Sequence, residues 1–343
     1  MQSEVFVLNE ARQVTLTSYL LQNGGEFRAV QKRPAVLVLP GGGYEFCSDR
    51  EADPVAMPYL AAGYHAFILR YSVKQHAIWP NPLQDYEQAM QLIRGHADAW
   101  GIRSDKIAVV GFSAGGHLAG CAATMAKSRP NAAILGYAVL SDDVKGCSVT
   151  APDVIRAVDQ HTCPCFLFAT RTDNVVPIAN SLRFMQALDR YGIAFESHIY
   201  AFGPHGFSTA APSIQGPDPA LCARTPNWVQ DSIGWLRDVL GGFGPSGDTL
   251  PVCPGHINDD YEAFLSVDCT LDHLLQNPGA RALLQPVLHT AFASAGAGGT
   301  ALSEAQLLSF AAPMKLRDAL EFGRISAEEL QQLQAQLCKL KNT

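Results

Sequence analysis

Charged residues are scarce in this chain, and cationic residues cluster nowhere along it. Asp, Glu, Lys and Arg make up only 17% of the 343 residues, and the formal net charge at pH 7 is −7. Nucleic acids and anionic membrane surfaces attract proteins through clustered Lys and Arg. The sequence therefore predicts a protein with no nucleic-acid partner and no membrane partner.

Long apolar runs and paired metal-ligating cysteines are also missing. No apolar stretch approaches the ~20 residues of a membrane-spanning helix, and MQSEVFVLNEARQV lacks the basic and apolar regions of a signal peptide. The nine cysteines are scattered, and no second Cys/His pair accompanies Cys163 and Cys165 at zinc-like spacing. Such cysteines favour a reducing compartment. We expect a cytoplasmic protein with buried free thiols, no metal and no cofactor; a redox or metal role for these two thiols is the weaker alternative.

What the chain does have is apolar residues, at 48% of the total, arranged in regularly spaced runs. Between residues 34 and 240 these runs alternate with helix-like segments, which indicates a mainly parallel sheet. The predicted strands are residues 35–39, 65–71, 106–111, 132–140, 165–170 and 195–200. Their nearly continuous hydrophobicity predicts burial on both faces. A more clearly alternating run at 14–20 predicts an antiparallel edge strand.

For the helix predicted between strands 165–170 and 195–200, the sequence indicates where the helix begins and where it ends. Pro177 is placed for a first helical turn and Gly192 for a C-terminal cap. We expect Leu182, Met185 and Leu188 to form its buried stripe.

Composition divides the chain into three parts. Residues 241–260 are rich in Gly, Pro and Asp without periodicity, which is typical of a linker. The prediction is a large domain with the mainly parallel sheet at 1–240, this linker, and a small helical module at 261–343.

The predicted helical module carries two capping-box spacings and one apolar stripe. The capping pairs are Ser303 with Gln306 and Ser326 with Glu329. The stripe at helical spacing consists of Leu330, Leu333, Leu337 and Leu340. Because so few residues make a small core, we expect the module to dock on the main domain or to mediate a homo-oligomer.

The sharpest motif is Gly111-Phe112-Ser113-Ala114-Gly115, a G-x-S-x-G sequence between an apolar strand and a helix rich in small residues. In that context the serine lies on a strained turn above the sheet, at a helix N-terminus that favours developing negative charge. The non-catalytic alternative is an ordinary strand-to-helix turn whose glycines allow close packing. We predict that Ser113 is a nucleophile.

A second motif, Pro40-Gly41-Gly42-Gly43-Tyr44, follows the first strong strand. Acyl transfer needs two preorganised N–H donors for its oxyanion. Consecutive glycines let the backbone turn its amides inward, although a glycine triplet alone is more often a flexible turn. We predict that Gly42 or Gly43 supplies one donor and Ala114 the other.

The acid and the base should follow the serine in that order. Asp173 ends a strand before a helix, and His205 lies in the loop Gly-Pro-His-Gly after the last strand. The alternative for Asp173 is a helix cap. Asp142 and Asp143 are rival acids that precede the expected strand end.

Tyr44 and His117 are predicted to contact the substrate. Tyr44 directly follows the glycines, and His117 lies in the helix after the serine, where it supports the site rather than acting as base. His65 and His198 lie inside strand runs and are interpreted as packed side chains.

These blocks resemble the acetyl-esterase, feruloyl-esterase-like and acetyl-xylan-esterase-like branch of the α/β-hydrolases. The matching segments are VLVLPGGGYEFCSD, IAVVGFSAGGHLAG, TRTDNVVPIANSLRFMQAL and FGPHGFS, within residues 14–240. The resemblance implies an α/β-hydrolase fold with a C-terminal all-α module, a triad of Ser113, Asp173 and His205, and the oxyanion donors named above. Pro40 replaces the family's usual histidine, as in its P-G-G-G-Y subset. The large helical cap of the hormone-sensitive-lipase branch is missing, which favours an open pocket.

The resulting hypothesis is a serine esterase that removes short acyl groups, acetyl foremost, from a small-molecule or oligosaccharide ester. Peptidases and arylformamidases use the same scaffold and stay open as alternatives. A non-catalytic binding protein on this scaffold is a further alternative, as is an interaction protein that acts mainly through its helical tail.

Overall fold

The computed structural model describes residues 1–26, 30–214, 218–244, 247–296, 303–321 and 325–342. The chain divides into two compact units, Met1–Gly255 and His256–Thr343. The division lies inside the predicted linker at 241–260. The first part of that segment is bonded to the first unit: the Val252 amide donates to the Asp238 carbonyl, and the Ala194 amide donates to the Gly255 carbonyl, both at 2.9 Å.

The described part of the first unit is built on one eight-stranded sheet in the order β1-β2-β4-β3-β5-β6-β7-β8. Its strands are β1 Gln2–Asn9, β2 Val14–Leu20, β3 Arg33–Leu39, β4 His65–Arg70, β5 Ile102–Phe112, β6 Ala132–Gly136, β7 Cys165–Thr170 and β8 Phe195–Tyr200. The β1–β2 and β2–β4 pairs are antiparallel, and the five pairs from β3–β4 to β7–β8 are parallel. The predicted mainly parallel sheet is confirmed.

Three strand predictions need correction. β2 is antiparallel as expected but is not an edge strand, because β1, which the sequence analysis missed, pairs along its outer side. β8 is an edge strand whose residues are mostly exposed, so the expected burial on both faces is wrong there. β6 ends at Gly136 because Tyr137 has a φ of 34° and leaves the extended conformation.

Helices cover both faces of the sheet. They are α1 Asp53–Ala61, α2 Asn81–Gly95, α3 Ala97–Trp100, α4 Ser113–Met125, α5 Ala179–Arg190 and α6 Trp228–Leu240. Side chains of α2, α4 and α5 pack in one core cluster, and those of α1 and α6 pack in the other. Strand β3 contributes to both clusters because successive side chains point to opposite faces, Leu37 to the first and Val38 to the second.

Helix α5 buries a stripe that only partly matches the predicted one. Phe184 and Leu188 are buried, whereas Leu182 is 47% exposed and Met185 only partly buried. The expected stripe is therefore wrong at Leu182. The helix lies with Asn180 inward, where the side chain accepts hydrogen bonds from the amides of Leu140 and Ser141.

The described part of the second unit is helical, with α7 Leu271–Gln276, α8 Pro278–Gly296, α9 Glu304–Ala311, α10 Leu316–Glu321 and α11 Ala327–Leu337. Both predicted capping boxes, at Ser303 and Ser326, are present. Leu333 and Leu337 are buried in this unit's own core, with Leu330 and Leu340 packed against it. In the ranges that the structure describes, no helix combines the length and apolarity needed to cross a bilayer.

Candidate active site

Ser113 lies at the turn where β5 passes into α4. Its φ of 51° is left-handed, a conformation that a non-glycine residue adopts only under constraint from its surroundings. The flanking glycines allow the close approach: a Cβ on Gly111 would lie 2.3 Å from the Gly115 carbonyl oxygen, and one on Gly115 would lie 2.1 Å from that of Leu39. The turn thus places Ser113 at the carboxyl end of β5, where the residue is partly exposed.

A continuous hydrogen-bonded chain joins Ser113, His205 and Asp173. The distance from His205 Nε2 to Ser113 Oγ is 2.9 Å, and that from His205 Nδ1 to Asp173 Oδ2 is 2.7 Å. An ionised carboxylate only accepts, so Nδ1 carries the proton and Nε2 is left to accept from the serine hydroxyl. The structure brings the three predicted triad residues together, in the order that base catalysis needs.

Parallel topology explains this convergence. Asp173 follows β7, His205 follows β8 and Ser113 follows β5, so all three lie at the carboxyl ends of parallel strands. The Asp173 side chain is only 2% exposed, and its second oxygen accepts from the amides of Val175 and Val176 at 2.9 and 2.8 Å. Asp173 therefore caps a local turn while it holds the imidazole.

The two rival acids are engaged elsewhere. Asp142 forms ion pairs with Lys145 and Arg156. Asp143 Oδ2 accepts from the side-chain Nδ2 of Asn180 at 2.9 Å.

The glycine loop after β3 lies beside Ser113, and its backbone amide groups are candidate oxyanion donors. Gly41 donates its N–H to Glu51 Oε2 at 2.8 Å and is therefore occupied. Gly42 and Gly43 have φ values of 133° and 61°, and among the described residues nothing accepts from their amides. The Ala114 amide lies in the first turn of α4, where N–H groups lack partners within the helix. The structure leaves all three predicted oxyanion donors available.

Tyr44 and His117 form a buried, hydrogen-bonded pair beside the glycine loop. Both are buried, at 1% and 0% exposure, which leaves almost no surface for a substrate. The Tyr44 hydroxyl donates to His117 Nδ1 at 2.7 Å, and His117 Nε2 donates to the Pro152 carbonyl at 2.9 Å. Burial lowers the pKa of His117 to about 4, so the imidazole is neutral at pH 7. The pair joins the glycine loop to α4, and a substrate contact by either residue stays a prediction.

Comparisons with known proteins identify the family of this chain. A family model described as BD-FAE matches residues 27–138, and the dienelactone hydrolase family model matches residues 83–239. A solved α/β hydrolase enzyme from a Medee basin deep-sea metagenome library is 44% identical; the alignment covers 70% of this chain and 98% of that one, with a TM-score of 0.66. This chain belongs to the α/β-hydrolases. The predicted fold class is confirmed.

Two curated relatives of this α/β-hydrolase are xylan-related by name. Endo-1,4-β-xylanase B from Butyrivibrio fibrisolvens is 32% identical over 210 residues, which are 52% of this chain and 33% of that protein. An acetylxylan esterase from Xylanibacter ruminicola is 31% identical over 196 residues, 50% of this chain and 41% of that protein. The chain therefore spans well under two thirds of either relative. The resemblance to the esterase branch is confirmed.

Sequence reasoning missed two buried polar residues of this α/β-hydrolase. Glu51 lies between the glycine loop and Tyr137, and its Oε1 accepts from the Tyr137 hydroxyl. The Tyr137 ring packs edge-on against the His205 imidazole, with ring centroids 4.9 Å apart. Asp49, Glu51 and Asp53 precede Pro54, and acidic residues before a proline are typical of a helix start. The sequence pattern therefore did not distinguish Glu51 from the two aspartates.

Proposed function

We propose that this α/β-hydrolase is a serine carboxylesterase that hydrolyses short acyl esters, acetyl foremost, of sugars or xylan-type oligosaccharides. The observation that carries the proposal is the hydrogen-bonded chain from Ser113 through His205 to Asp173. Beside it, the amides of Gly42 and Gly43 donate to no acceptor in the described part of the protein. Nucleophile, base and acid at these distances are the equipment of acyl transfer. The names of the relatives direct the choice towards ester bonds.

In the first half-reaction, Ser113 Oγ attacks the ester carbonyl carbon while His205 Nε2 takes the hydroxyl proton. Asp173 holds the ring and stabilises the imidazolium that forms. The carbonyl oxygen becomes an oxyanion that accepts from the Ala114 amide and from Gly42 or Gly43. The tetrahedral intermediate then collapses: the bond to the alcohol oxygen breaks, and His205 gives its proton to the leaving alcohol.

In the second half-reaction, water replaces the alcohol. His205 takes a proton from the water as its oxygen attacks the acyl carbon, and the same amides stabilise the second oxyanion. The bond to Ser113 Oγ breaks, and His205 returns the proton to the serine. The products are a carboxylic acid and the restored enzyme.

Two exposed aromatic rings support a bulky polar alcohol such as a sugar. Phe46, 58% exposed, lies in the loop that begins with the oxyanion glycines, and Phe202, 44% exposed, lies three residues before His205. Such rings offer apolar surface to the apolar face of a sugar ring. A cytoplasmic location remains a prediction; with it, the substrate would be an imported oligosaccharide rather than the polymer.

The test is a substrate panel for the full chain: p-nitrophenyl esters from acetate to decanoate, and acetylated xylo-oligosaccharides analysed for released acetate. We expect acetate to be the best p-nitrophenyl ester and deacetylated oligosaccharide to accumulate. A preference for octanoate or longer chains would contradict the acyl assignment. Faster cleavage of peptides or formamides than of any ester would favour the amide-hydrolase alternative.

Covalent labelling tests the nucleophile directly. A fluorophosphonate probe should label the wild type and the surface variant Ser213→Ala equally, and should not label Ser113→Ala. Labelling of Ser113→Ala would refute the assignment of Ser113. A wild type that neither hydrolyses esters nor reacts with the probe would point to a binding protein. Light scattering of the same samples tests the expected homo-oligomer.

A further inference from the structure

Glu51 is a buried carboxylate that the catalytic steps above do not use. It ends the short 3₁₀ turn Asp49–Glu51 and is 4% exposed. One oxygen, Oε2, accepts from the Gly41 amide at 2.8 Å, one residue before the predicted oxyanion donors. A Cβ on Gly41 would lie 2.7 Å from that oxygen, so the close approach depends on glycine. The carboxylate therefore fixes the peptide from which the oxyanion loop starts.

The other oxygen reaches the loop that carries the catalytic base. Glu51 Oε1 accepts from the Tyr137 hydroxyl, which in turn accepts from the Ser208 amide at 3.0 Å. The Tyr137 ring lies edge-on to the His205 imidazole at an interplanar angle of 70°. One carboxylate thus connects the oxyanion loop to the histidine loop through a single tyrosine.

The backbone on both sides of this connection is strained. Tyr137 has a φ of 34° and Ser208 a φ of 50°. The Ser208 carbonyl accepts from Trp228 Nε1 at 3.0 Å, and its hydroxyl donates to the Arg50 carbonyl next to Glu51. Non-glycine residues keep such φ values only where surrounding contacts determine them. The hydrogen bonds of Glu51 are part of those contacts.

The donor pattern identifies the charge state that the connection needs. Both partners of Glu51 donate, so an ionised carboxylate satisfies both, whereas a protonated one would present a hydrogen to a donor. Burial raises the pKa of Glu51, and the hydrogen bonds from Tyr137 and Gly41 offset only part of that effect. A carboxyl whose pKa is raised on folding destabilises the fold above its ordinary pKa. An ionised, buried Glu51 therefore lowers the free energy of unfolding, so its presence is not explained by a contribution to fold stability.

We propose that Glu51 is a positioning residue for acyl transfer, whose carboxylate holds the oxyanion loop at Gly41 and, through Tyr137, the loop of His205 in their reactive arrangement. This inference rests on the mechanism proposed above. It assigns to Glu51 no contact with the substrate, so its loss should slow the chemical step rather than weaken substrate binding.

The test compares Glu51→Gln with Glu45→Gln. Both substitutions remove one negative charge from the same segment, but Glu45 is exposed. The side-chain amide of Glu51→Gln keeps one acceptor and turns a donor towards a donor. Single-turnover acylation by p-nitrophenyl acetate should slow at least 10-fold in Glu51→Gln, with the half-saturating concentration within threefold of wild type. Glu45→Gln should stay within twofold of wild type in both.

A second variant keeps the inference testable if Glu51→Gln folds poorly. Tyr137→Phe removes only the hydroxyl and keeps the ring against His205. It should also slow acylation, and the double variant should be no slower than the slower single one, because both changes break one connection. Melting temperature and circular dichroism are measured for each protein, and rates are expressed per folded molecule.

Two results would overturn the inference. The first is wild-type acylation per folded molecule in both Glu51→Gln and Tyr137→Phe. The second is a slowing of the double variant equal to the product of the single effects. Ser113→Ala, run in parallel, separates this failure from failure of the proposed function. If Ser113→Ala still hydrolyses the ester, the mechanism is wrong. If Ser113→Ala is inactive while Glu51→Gln and Tyr137→Phe both equal wild type, only the role of Glu51 is wrong.

Discussion

The two units of the chain differ in how many of their non-glycine residues have a left-handed backbone conformation. Seven described non-glycine residues of the first unit have positive φ, and four of them, Tyr44, Ser113, Tyr137 and Ser208, lie in loops that carry or brace the triad. In the described residues from 256 to 342, no non-glycine residue has a positive φ. There the helix starts at Ser303 and Ser326 follow the capping-box rule completely.

This difference shows where the first unit departs from local preference. Each left-handed non-glycine residue costs of order 1–3 kcal/mol, which only tertiary contacts can offset. The departures concentrate where loops from three strand ends converge on Ser113. The second unit, by contrast, folds as its helix patterns predict. Substitutions at the reactive loops should therefore change activity most, and substitutions at the helix caps should change only stability.

The largest expected effect is at the acid. Asp173→Asn keeps an oxygen for the amides of Val175 and Val176 but presents an N–H group to His205 Nδ1, which favours the wrong tautomer. We expect kcat/KM for p-nitrophenyl acetate to fall about 10⁴-fold. Asp143→Asn, the matched change at the rival acid, should stay within a fewfold of wild type. Similar losses in both variants would contradict the triad assignment.

Two glycines of the oxyanion loop offer the next contrast. A Cβ on Gly42 would lie 2.1 Å from the Phe46 carbonyl oxygen, whereas one on Gly43 meets nothing within 4 Å. Gly42→Ala must displace the loop, and we expect kcat/KM to fall about 10²–10³-fold, the effect of losing an oxyanion donor. Gly43→Ala should mainly cost about 1–2 kcal/mol of stability, because φ stays left-handed. The same assay and a urea titration measure both, and a larger activity loss in Gly43→Ala would reverse the interpretation.

Acid should destabilise the first unit through two buried histidines. Burial lowers the pKa of both His65 and His117 to about 4. Between the ordinary histidine pKa of about 6.5 and this value, the unfolded chain binds more protons, so stability falls as pH falls. The expected slope is about 1.4 kcal/mol per pH unit for each histidine. It is fully developed below pH ~6.5 and ends near pH ~4.

Tryptophan fluorescence measures this slope in the first unit alone, because Trp79, Trp100, Trp228 and Trp235 all precede residue 256. Urea titrations from pH 7 to pH 5 should show it in the wild type and in His161→Gln, a surface control. His65→Gln should flatten it by about half. An unchanged slope in His65→Gln would show that His65 does not drive the acid sensitivity.

The smallest effect is expected at a helix cap of the second unit. The Ser326 hydroxyl accepts from the Glu329 amide at 3.2 Å. Ser326→Ala should destabilise helix α11 by about 1 kcal/mol, visible as earlier loss of far-UV circular dichroism in urea. Ser326→Thr retains the hydroxyl and should stay close to wild type. Ester hydrolysis should be unchanged in both variants; a loss of activity would show that the two units do not differ as described.

The sequence determined the mainly parallel part of the sheet and the turn at Ser113, because each is encoded in short segments, and the order of the triad stays a prediction from the same segments. Continuous apolar runs require burial on both faces, and G-x-S-x-G between strand and helix requires the close approach seen at Gly115. Periodicity was insufficient for β1, whose residues are mostly exposed, and for the buried face of α5. In both segments, burial depends on which other elements pack against them, and their own sequences do not show this.

Only the tertiary structure decided the hydrogen-bond partners of Tyr44, His117, Glu51 and Tyr137. Glu51 and Tyr137 are 86 positions apart in the chain, and Tyr44 and His117 are 73 apart. Their hydrogen bonds depend on which strand ends become neighbours, and no local pattern records that. A buried polar group must find partners wherever the fold brings them, because unpaired burial is too costly. The turn that carries Ser113 was therefore predictable from its own segment, whereas the hydrogen bonds around that turn depend on packing between distant segments.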